Sequence, residues 1–168
     1  MKRVRVALLI FVLHPISTAF AQSISDNHIA ISYCGSQFQL PLPPTYQVKR
    51  QTGADYRQYT VTKREVEPSE ATFTITLTTD PDIGPVISGD TEAVEILGAK
   101  TNWFIWTESK NGQKVFHREL LVRISHSRKE QPASCKQELR MILSVSGSEN
   151  YQVQKMSGLA NQIAYQHK

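Results

Sequence analysis

The pair Asn111-Gly112 restricts the fold of this chain more than any other local feature. Asn and Gly both tolerate positive φ, which the two central residues of a type I′ turn require, and this turn joins twisted antiparallel strands. The flanking residues 100–110 and 113–124 are rich in aromatic and β-branched side chains. We therefore predict a long β-hairpin whose register is set by its two-residue turn.

This register divides the side chains of the hairpin between two faces. The first face is mostly apolar and is expected to join the core; its predicted pairs are Thr101 with Val122, Trp103 with Leu120, Ile105 with Arg118 and Thr107 with Phe116. The second face is mixed, and its predicted pairs are Asn102 with Leu121, Phe104 with Glu119 and Trp106 with His117.

The second face has two interpretations. Aromatic residues beside polar groups are typical of interface hot spots, which makes Phe104, Trp106, His117 and Glu119 the candidate partner-binding residues. Alternatively, a helix from elsewhere in the chain covers the two aromatic rings, since large exposed apolar patches are rare on monomers. The exposure of Trp106 distinguishes the two interpretations.

Cys34 and Cys135 are the two cysteines of the chain. An even number of cysteines in an exported protein predicts a disulfide, and neither cysteine has His or Cys neighbours at metal-ligand spacing. A bond between them closes a loop of about 100 residues, for which chain-entropy arithmetic gives roughly 4 to 5 kcal/mol. We predict that this bond ties the first strand to the approach of the last.

Short strands dominate the rest of the chain. Residues 71–78 alternate apolar side chains with threonines, which predicts a strand with one buried and one solvated face. Further strands are expected at residues 29–34, 38–42, 46–50, 56–62 and 138–145. Residues 91–97 are predicted to form a short helix that stops at Gly98, and a terminal amphipathic helix is expected to follow Ser148 as its N-cap. The predicted fold class is α+β, a twisted antiparallel sheet with the C-terminal helix and the short helix packed on it.

Residues 1–21 have the pattern of a secretory signal peptide. The pattern consists of basic Lys2, Arg3 and Arg5, an apolar run over residues 6–13 and the cleavage sequence Ala19-Phe20-Ala21. The apolar run is too short to remain as a membrane anchor. We predict cleavage between Ala21 and Gln22, a periplasmic or secreted location, and a single domain spanning residues 22–168.

The leader also accounts for most of the positive charge. The whole chain has a net charge of +4, and the leader contains three of its basic residues, so the mature chain has about +1. Nucleic-acid binding needs a basic stripe that neutralises several phosphates, whereas here acidic and basic residues are mixed. Nucleic acid is therefore not expected as a partner.

Catalytic and metal-binding motifs do not stand out in the sequence. The turn-rich residues 80–85 lack the glycine and glutamate positions of a calcium-binding loop, and no motif for a cofactor or a hydrolase nucleophile occurs. His117 and Glu119 point the same way on one strand and are the nearest approach to an acid-base pair. We therefore expect a protein without enzymatic activity, metal or cofactor.

The order of elements provides a resemblance to a known fold. An opening strand leads into the F-x-L-P-L-P segment at residues 38–43, paired strands through Tyr59 and Phe73, a short helix, the long hairpin with Trp103, a last strand and a terminal helix. This order resembles the PsbP-like fold of the extrinsic photosystem II subunit, a Ran-binding nuclear transport factor and several small exported bacterial proteins. The resemblance implies a scaffold that binds a protein partner, with no individual site residue carried over.

These observations favour a non-catalytic periplasmic module that binds a protein. Its most concrete form resembles the small immunity proteins that neutralise secretion-system toxins in the periplasm. One alternative is a carrier that holds a small lipid or amphiphile in an apolar pocket between sheet and helices. A second alternative is a hydrolase built around His117 and Glu119.

Overall fold

A computed structural model describes residues 28–64, 71–124, 135 and 138–166. The predicted leader lies outside these residues. The elements, in chain order, are β1 (His28–Tyr33), β2 (Ser36–Pro41), β3 (Tyr46–Thr52), β4 (Tyr56–Lys63), β5 (Thr72–Thr78), β6 (Asp90–Ile96), β7 (Ala99–Lys110), β8 (Gln113–Ile124), β9 (Leu139–Gly147), α1 (Asn150–Ala160) and β10 (Ala164–Tyr165). The predicted sheet-rich architecture is confirmed, and the described residues contain one helix rather than two.

The strands form two open antiparallel sheets. A large seven-stranded sheet has the order β3-β4-β5-β9-β8-β7-β6, and a small three-stranded sheet has the order β1-β2-β10. Helix α1 packs against β9, β5 and β8. The hydroxyl of buried Tyr59 on β4 accepts a hydrogen bond of 3.3 Å from the Ser32 amide of β1, so the small sheet and α1 cover the same face of the large sheet.

The covered face holds the core. Its fully buried side chains include Phe73, Ile75, Leu120, Met141 and Leu143. The threonines of β5 alternate with these residues and lie on the opposite face of the large sheet, which we call the outer face. The alternation predicted for β5 is thus confirmed, and it determines which face can meet other molecules.

The Asn111-Gly112 hairpin is confirmed. Both residues have positive φ, 54° and 76°, and the ladder runs from Phe104–Glu119 to Lys110–Gln113 in the predicted register. The predicted pairs Trp103–Leu120, Thr101–Val122 and Asn102–Leu121 fall outside this ladder. At that end the Thr101 hydroxyl donates a hydrogen bond of 3.0 Å to the Leu121 carbonyl, a side-chain contact in place of a backbone one.

The tip of the hairpin extends beyond its neighbours. Strand β6 pairs with β7 only as far as Ile105, and β9 pairs with β8 only from Phe116 onward. Beyond these points, residues 106–110 and 113–115 of the described structure pair only with the other arm of the hairpin. At about 3.4 Å per residue this two-stranded ribbon projects roughly 13 Å from the sheet.

The predicted short helix at residues 91–97 is wrong, because Asp90–Ile96 forms strand β6. Val94 and Ile96 are two residues apart and turn toward the core, which is the strand period. Gly98 does not stop a helix. Leu97 and Gly98, with φ of 55° and 75°, are the central residues of another two-residue turn, which joins β6 to β7.

The terminal helix is confirmed with different ends. It begins at Asn150, and its N-cap is Glu149 rather than the predicted Ser148. The helix ends at Ala160, so Ile163 and Ala164 lie beyond it. After the helix, the amides of Gln162 and Ile163 each donate a hydrogen bond to the carbonyl three residues earlier, which forms a tight turn. Ala164 then pairs with Gln39 of β2 as part of β10.

The predicted disulfide between Cys34 and Cys135 is present, with Cα atoms 5.6 Å apart. Cys34 and Gly35 form the turn between β1 and β2, where both have positive φ. Cys135 precedes β9 of the large sheet and is 9% exposed. The bond therefore joins the turn of the small sheet to the chain that leads into the central part of the large one.

Candidate functional site: the outer face of the large sheet

The outer face carries a polar surface that becomes aromatic toward β7. One lateral row crosses all seven strands and consists of Lys49, Thr60, Thr74, Ser144, Glu119, Phe104 and Thr91. A second row consists of Thr72, Ser146, His117 and Trp106. The predicted binding residues Phe104, Trp106, His117 and Glu119 thus lie side by side on one face.

Trp106 and His117 form a stacked pair at the base of the projecting ribbon. Their ring centroids are 5.0 Å apart and the ring planes differ by 8°. The Nε2 atom of His117 lies 3.1 Å from Oε1 of Glu108, the next residue of the same face along β7. Both rings are half-buried, so the pair is a rigid platform whose orientation is fixed by its neighbours.

Glu119 connects two segments of the outer face by hydrogen bonds. Its Oε2 accepts a hydrogen bond of 2.6 Å from the Val86 amide, and its Oε1 accepts one of 2.6 Å from the Ser144 hydroxyl. Both carboxylate oxygens are therefore engaged. The carboxylate that contacts His117 belongs to Glu108, so the structure does not bring His117 and Glu119 together as the acid-base pair of the hydrolase alternative.

Residues 79–89 form a strap over the outer face. They connect β5 to the edge strand β6 and so must pass β9, β8 and β7. Arg140 of β9 donates a hydrogen bond of 2.8 Å to the Pro81 carbonyl, and Glu119 of β8 accepts from Val86. These contacts hold the strap at two points, one on each side of buried Ile142, which also points to this face.

The strap exposes two apolar side chains that the sequence prediction missed. Val86 is 50% exposed and Ile87 is 76% exposed. Gly89, at the end of the strap, lies so close to the sheet that a Cβ atom there would come within 2.0 Å of the Ile105 carbonyl and 3.1 Å of Trp106 Cβ. The strap therefore ends against Trp106, and its exposed residues lie beside the aromatic pair.

Trp106 is half-buried, and the strap, not α1, is the segment of the described structure that lies on its face of the sheet. Helix α1 packs on the opposite face, while the strap is anchored at Glu119, directly opposite Phe104. The predicted covering helix is therefore not the neighbour of these rings in the described part of the chain. Consecutive apolar residues in a loop rich in Pro and Gly are the signal that could have identified Val86 and Ile87.

Removal of the Glu119 side chain is expected to release the strap. In Glu119→Ala the Val86 amide and the Ser144 hydroxyl both lose a charged acceptor, and hydrogen bonds to charged groups contribute about 1.5–3 kcal/mol each. We expect faster hydrogen exchange at the Val86 amide, measured by NMR or mass spectrometry. Glu108→Ala is the matched control, since it removes a carboxylate of the same face. Equal protection of Val86 in both variants would contradict this role of Glu119.

The carrier alternative requires an apolar pocket between the large sheet and α1. The region between the large sheet and α1 holds fully buried Phe73, Trp103 and Met141. Among the described residues, a shallow depression open to solvent lies on the β6–β7 hairpin, lined by residues such as Ala93 and Asn102. This arrangement gives no support to the carrier alternative, which stays a prediction. No helix in the described ranges is long and apolar enough to span a bilayer.

Comparisons with known proteins add little to this description. No family model matches the sequence, and no curated protein matches it. The chain is similar to a solved structure from Bacteroides thetaiotaomicron VPI-5482, with a TM-score of 0.49, 8% identity and coverage of 78% of this chain. The matched region spans about half, 46%, of that protein's chain. This similarity carries no argument about function, and the resemblance to the PsbP-like fold stays a prediction.

Proposed function

We propose that this protein is a non-catalytic binding module that engages a protein partner through the outer face. The binding surface, called the outer patch, consists of Val86, Ile87, Phe104, Trp106 and His117. The observation that carries the proposal is the exposure of Ile87, 76%, and Val86, 50%, on a strap that is held at Glu119 and ends close to Trp106. Apolar side chains exposed together on one face are a feature of interaction sites.

The composition of the outer patch supports a protein as the partner. Tryptophan at the centre of an interface buries a large area and loses little rotamer entropy. Exposed Glu108 and Lys110 follow Trp106 on the same face of the ribbon and place charges of both signs at one side of the apolar residues, as in the polar rim of a protein interface. The ribbon projects from the sheet and could insert into a cleft of the partner, such as the active site of a toxin.

The proposed setting is the periplasm, where an immunity-type protein occludes an exported toxin. The Cys34–Cys135 disulfide supports an oxidising compartment. The leader pattern of residues 1–21 supports export. Occlusion would need no catalytic group on this chain, only a rigid surface, and the stacked and hydrogen-bonded residues of the outer face provide one.

Variants of the outer patch test this proposal. The purified protein is used to capture a partner from the exported fraction of its cell, and the affinity of the identified partner is then measured by calorimetry. We expect Trp106→Ala to weaken binding about 30-fold or more, since hot-spot truncations cost about 2 kcal/mol or more. Ile87→Ser is expected to weaken it about tenfold.

Tyr151→Ser is the matched control for these variants. Tyr151 is 69% exposed, but it lies on α1, which packs on the opposite face of the sheet. We expect it to leave binding unchanged. Two results would show that the outer patch is not the interface. In the first, the partner binds Trp106→Ala and Ile87→Ser as tightly as the wild type. In the second, Tyr151→Ser weakens binding as much as these two variants do.

A further inference from the structure

The large sheet ends in two edge strands of opposite charge. Strand β3 pairs only with β4 in the described structure, and it carries Lys49 and Arg50 and no acidic residue. Strand β6 pairs only with β7, and it carries Asp90, Glu92 and Glu95 and no basic residue. All five charged residues are exposed. Each strand presents a row of backbone amides and carbonyls without a neighbouring strand in the described chain.

The two edges also match in length and direction. Each strand has seven residues. The six ladders that separate them are all antiparallel, so β3 and β6 run in the same direction. A second copy placed beside the first in the same orientation would therefore bring its β3 alongside β6 as a parallel pair, which large mixed sheets tolerate.

Full overlap of the two strands also aligns their charges. Lys49 and Glu95 lie on the outer face, whereas Arg50 and Glu92 lie on the covered face. When Tyr46 is set beside Asp90 and the strands overlap completely, each cation is two residues from the acid on its own face. Long side chains reach neighbours at this diagonal spacing. Glu92 remains 53% exposed although it accepts a hydrogen bond from Arg118.

Charges on edge strands ordinarily prevent association between sheets. Here they oppose only the pairing of two identical edges. Two β6 edges would bring six carboxylates together, and two β3 edges would bring four cations together. Neither repulsion applies when β6 of one copy meets β3 of another. We propose that a second copy of this chain adds its β3 to the β6 edge, continuing the large sheet head to tail with Lys49 paired to Glu95 and Arg50 to Glu92.

Zero-length cross-linking tests this contact directly. A carbodiimide joins a lysine amine to a carboxylate only when the two touch. Within one copy, Lys49 and Glu95 are separated by six interstrand spacings, about 29 Å, so a link between them must join two copies. We expect mass spectrometry of cross-linked protein to find the Lys49–Glu95 link, and to find less of it as salt is raised.

Charge reversal tests the same contact without cross-linking. Sedimentation equilibrium from micromolar to millimolar concentration is expected to show concentration-dependent association of the wild type. Lys49→Glu and Glu95→Lys are each expected to raise the dissociation constant roughly tenfold, because each places like charges together. The double variant Lys49→Glu with Glu95→Lys restores an attractive pair and is expected to recover association.

Lys110→Glu is the control, since it reverses a charge at the ribbon tip, away from both edges. Circular dichroism of each variant confirms that it is folded. A wild type that stays monomeric throughout, or association that neither single reversal weakens, would overturn the proposal. These edges do not include the outer patch, so failure of self-association would leave the proposed partner binding unaffected.

Discussion

Replacement of Trp103 by alanine is expected to lower the free energy of unfolding by about 3–5 kcal/mol. Trp103 is 0% exposed and is the largest fully buried side chain of the described structure. Its indole Nε1 donates a hydrogen bond of 3.2 Å to Oδ1 of Asn161, the C-cap residue of α1. Removal of the ring therefore opens a cavity beside the core and also breaks a contact between the sheet and the end of the helix.

The loss is large compared with the whole stability of a domain, which is commonly about 5–15 kcal/mol. Denaturant unfolding followed by circular dichroism measures it. Trp106→Ala is the matched control, because the same residue type on the same strand faces outward and is only half-buried. We expect its cost to be less than half as large. Asn161→Ala isolates the hydrogen bond and is expected to cost about 1 kcal/mol.

Equal destabilisation by Trp103→Ala and Trp106→Ala would contradict the assignment of the two faces. That result would mean that the outer aromatic ring is as much a part of the packing as the inner one, and it would remove the main support for partner binding at Trp106. The pair of variants therefore tests the fold and the proposed site together. Partner affinity should show the opposite pattern, with Trp106→Ala the more damaging change in any sample that remains folded.

The hairpin and the disulfide could be predicted from sequence for different reasons. A two-residue Asn-Gly turn fixes the pairing of its own neighbours, so local chemistry determines which residues face Trp106. The disulfide followed from counting, because two cysteines have only one pairing available to them. Neither prediction required knowledge of how distant elements pack.

Strand β6 could not be predicted in the same way. Its seven residues fit a short helix or a strand by local preference, and the choice is made by the neighbouring edge of β7, which pairs with it. The turn signal at Gly98 was ambiguous, since a glycine with positive φ ends helices and also closes hairpins. In the structure Leu97 also has positive φ, so Leu97 and Gly98 together close a hairpin. Positive φ is not expected for leucine, so the hairpin could not be predicted from sequence.

The strap illustrates a further limit. Its course over the outer face depends on β5 and β6 being distant in the sheet, and this order depends on β9 entering between β5 and β8. Strand β9, which comes late in the chain, thus determines where Val86 and Ile87 lie. The aromatic residues of the proposed outer patch lie on the hairpin itself and could be identified from the sequence. Val86 and Ile87 could not, because a non-local crossing brings them to the same face.

Loss of the Cys34–Cys135 disulfide is the second change for which we expect a large effect. The two cysteines are 101 residues apart in the chain. In the chain-entropy model a loop of this length contributes about 4.7 kcal/mol, and removal of a native disulfide commonly costs about 2–5 kcal/mol. The structural consequence is specific, because the bond joins the turn of the small sheet to the segment that precedes β9.

Guanidinium unfolding of the Cys34→Ser, Cys135→Ser variant and of reduced wild type should give the same loss of stability. The dependence of stability on denaturant should steepen in both, because an unfolded chain without the cross-link exposes more surface. Cys34 has a φ of 50°, so the residue type at this position can also affect the stability of the turn. The variant Cys34→Asn, Cys135→Ser separates this effect, since asparagine tolerates positive φ more readily than serine.

We expect the asparagine variant to be more stable than the serine variant by about 1 kcal/mol or less, with both far below the oxidised wild type. If instead asparagine restored most of the lost stability, the turn conformation and not the covalent link would be what Cys34 provides. The β1–β2 hairpin would then hold its place on the large sheet through noncovalent contacts, such as the Ser32–Tyr59 hydrogen bond and the burial of Phe38. The same comparison under reducing conditions separates these cases, because reduction of the wild type removes the link and leaves the turn residue unchanged.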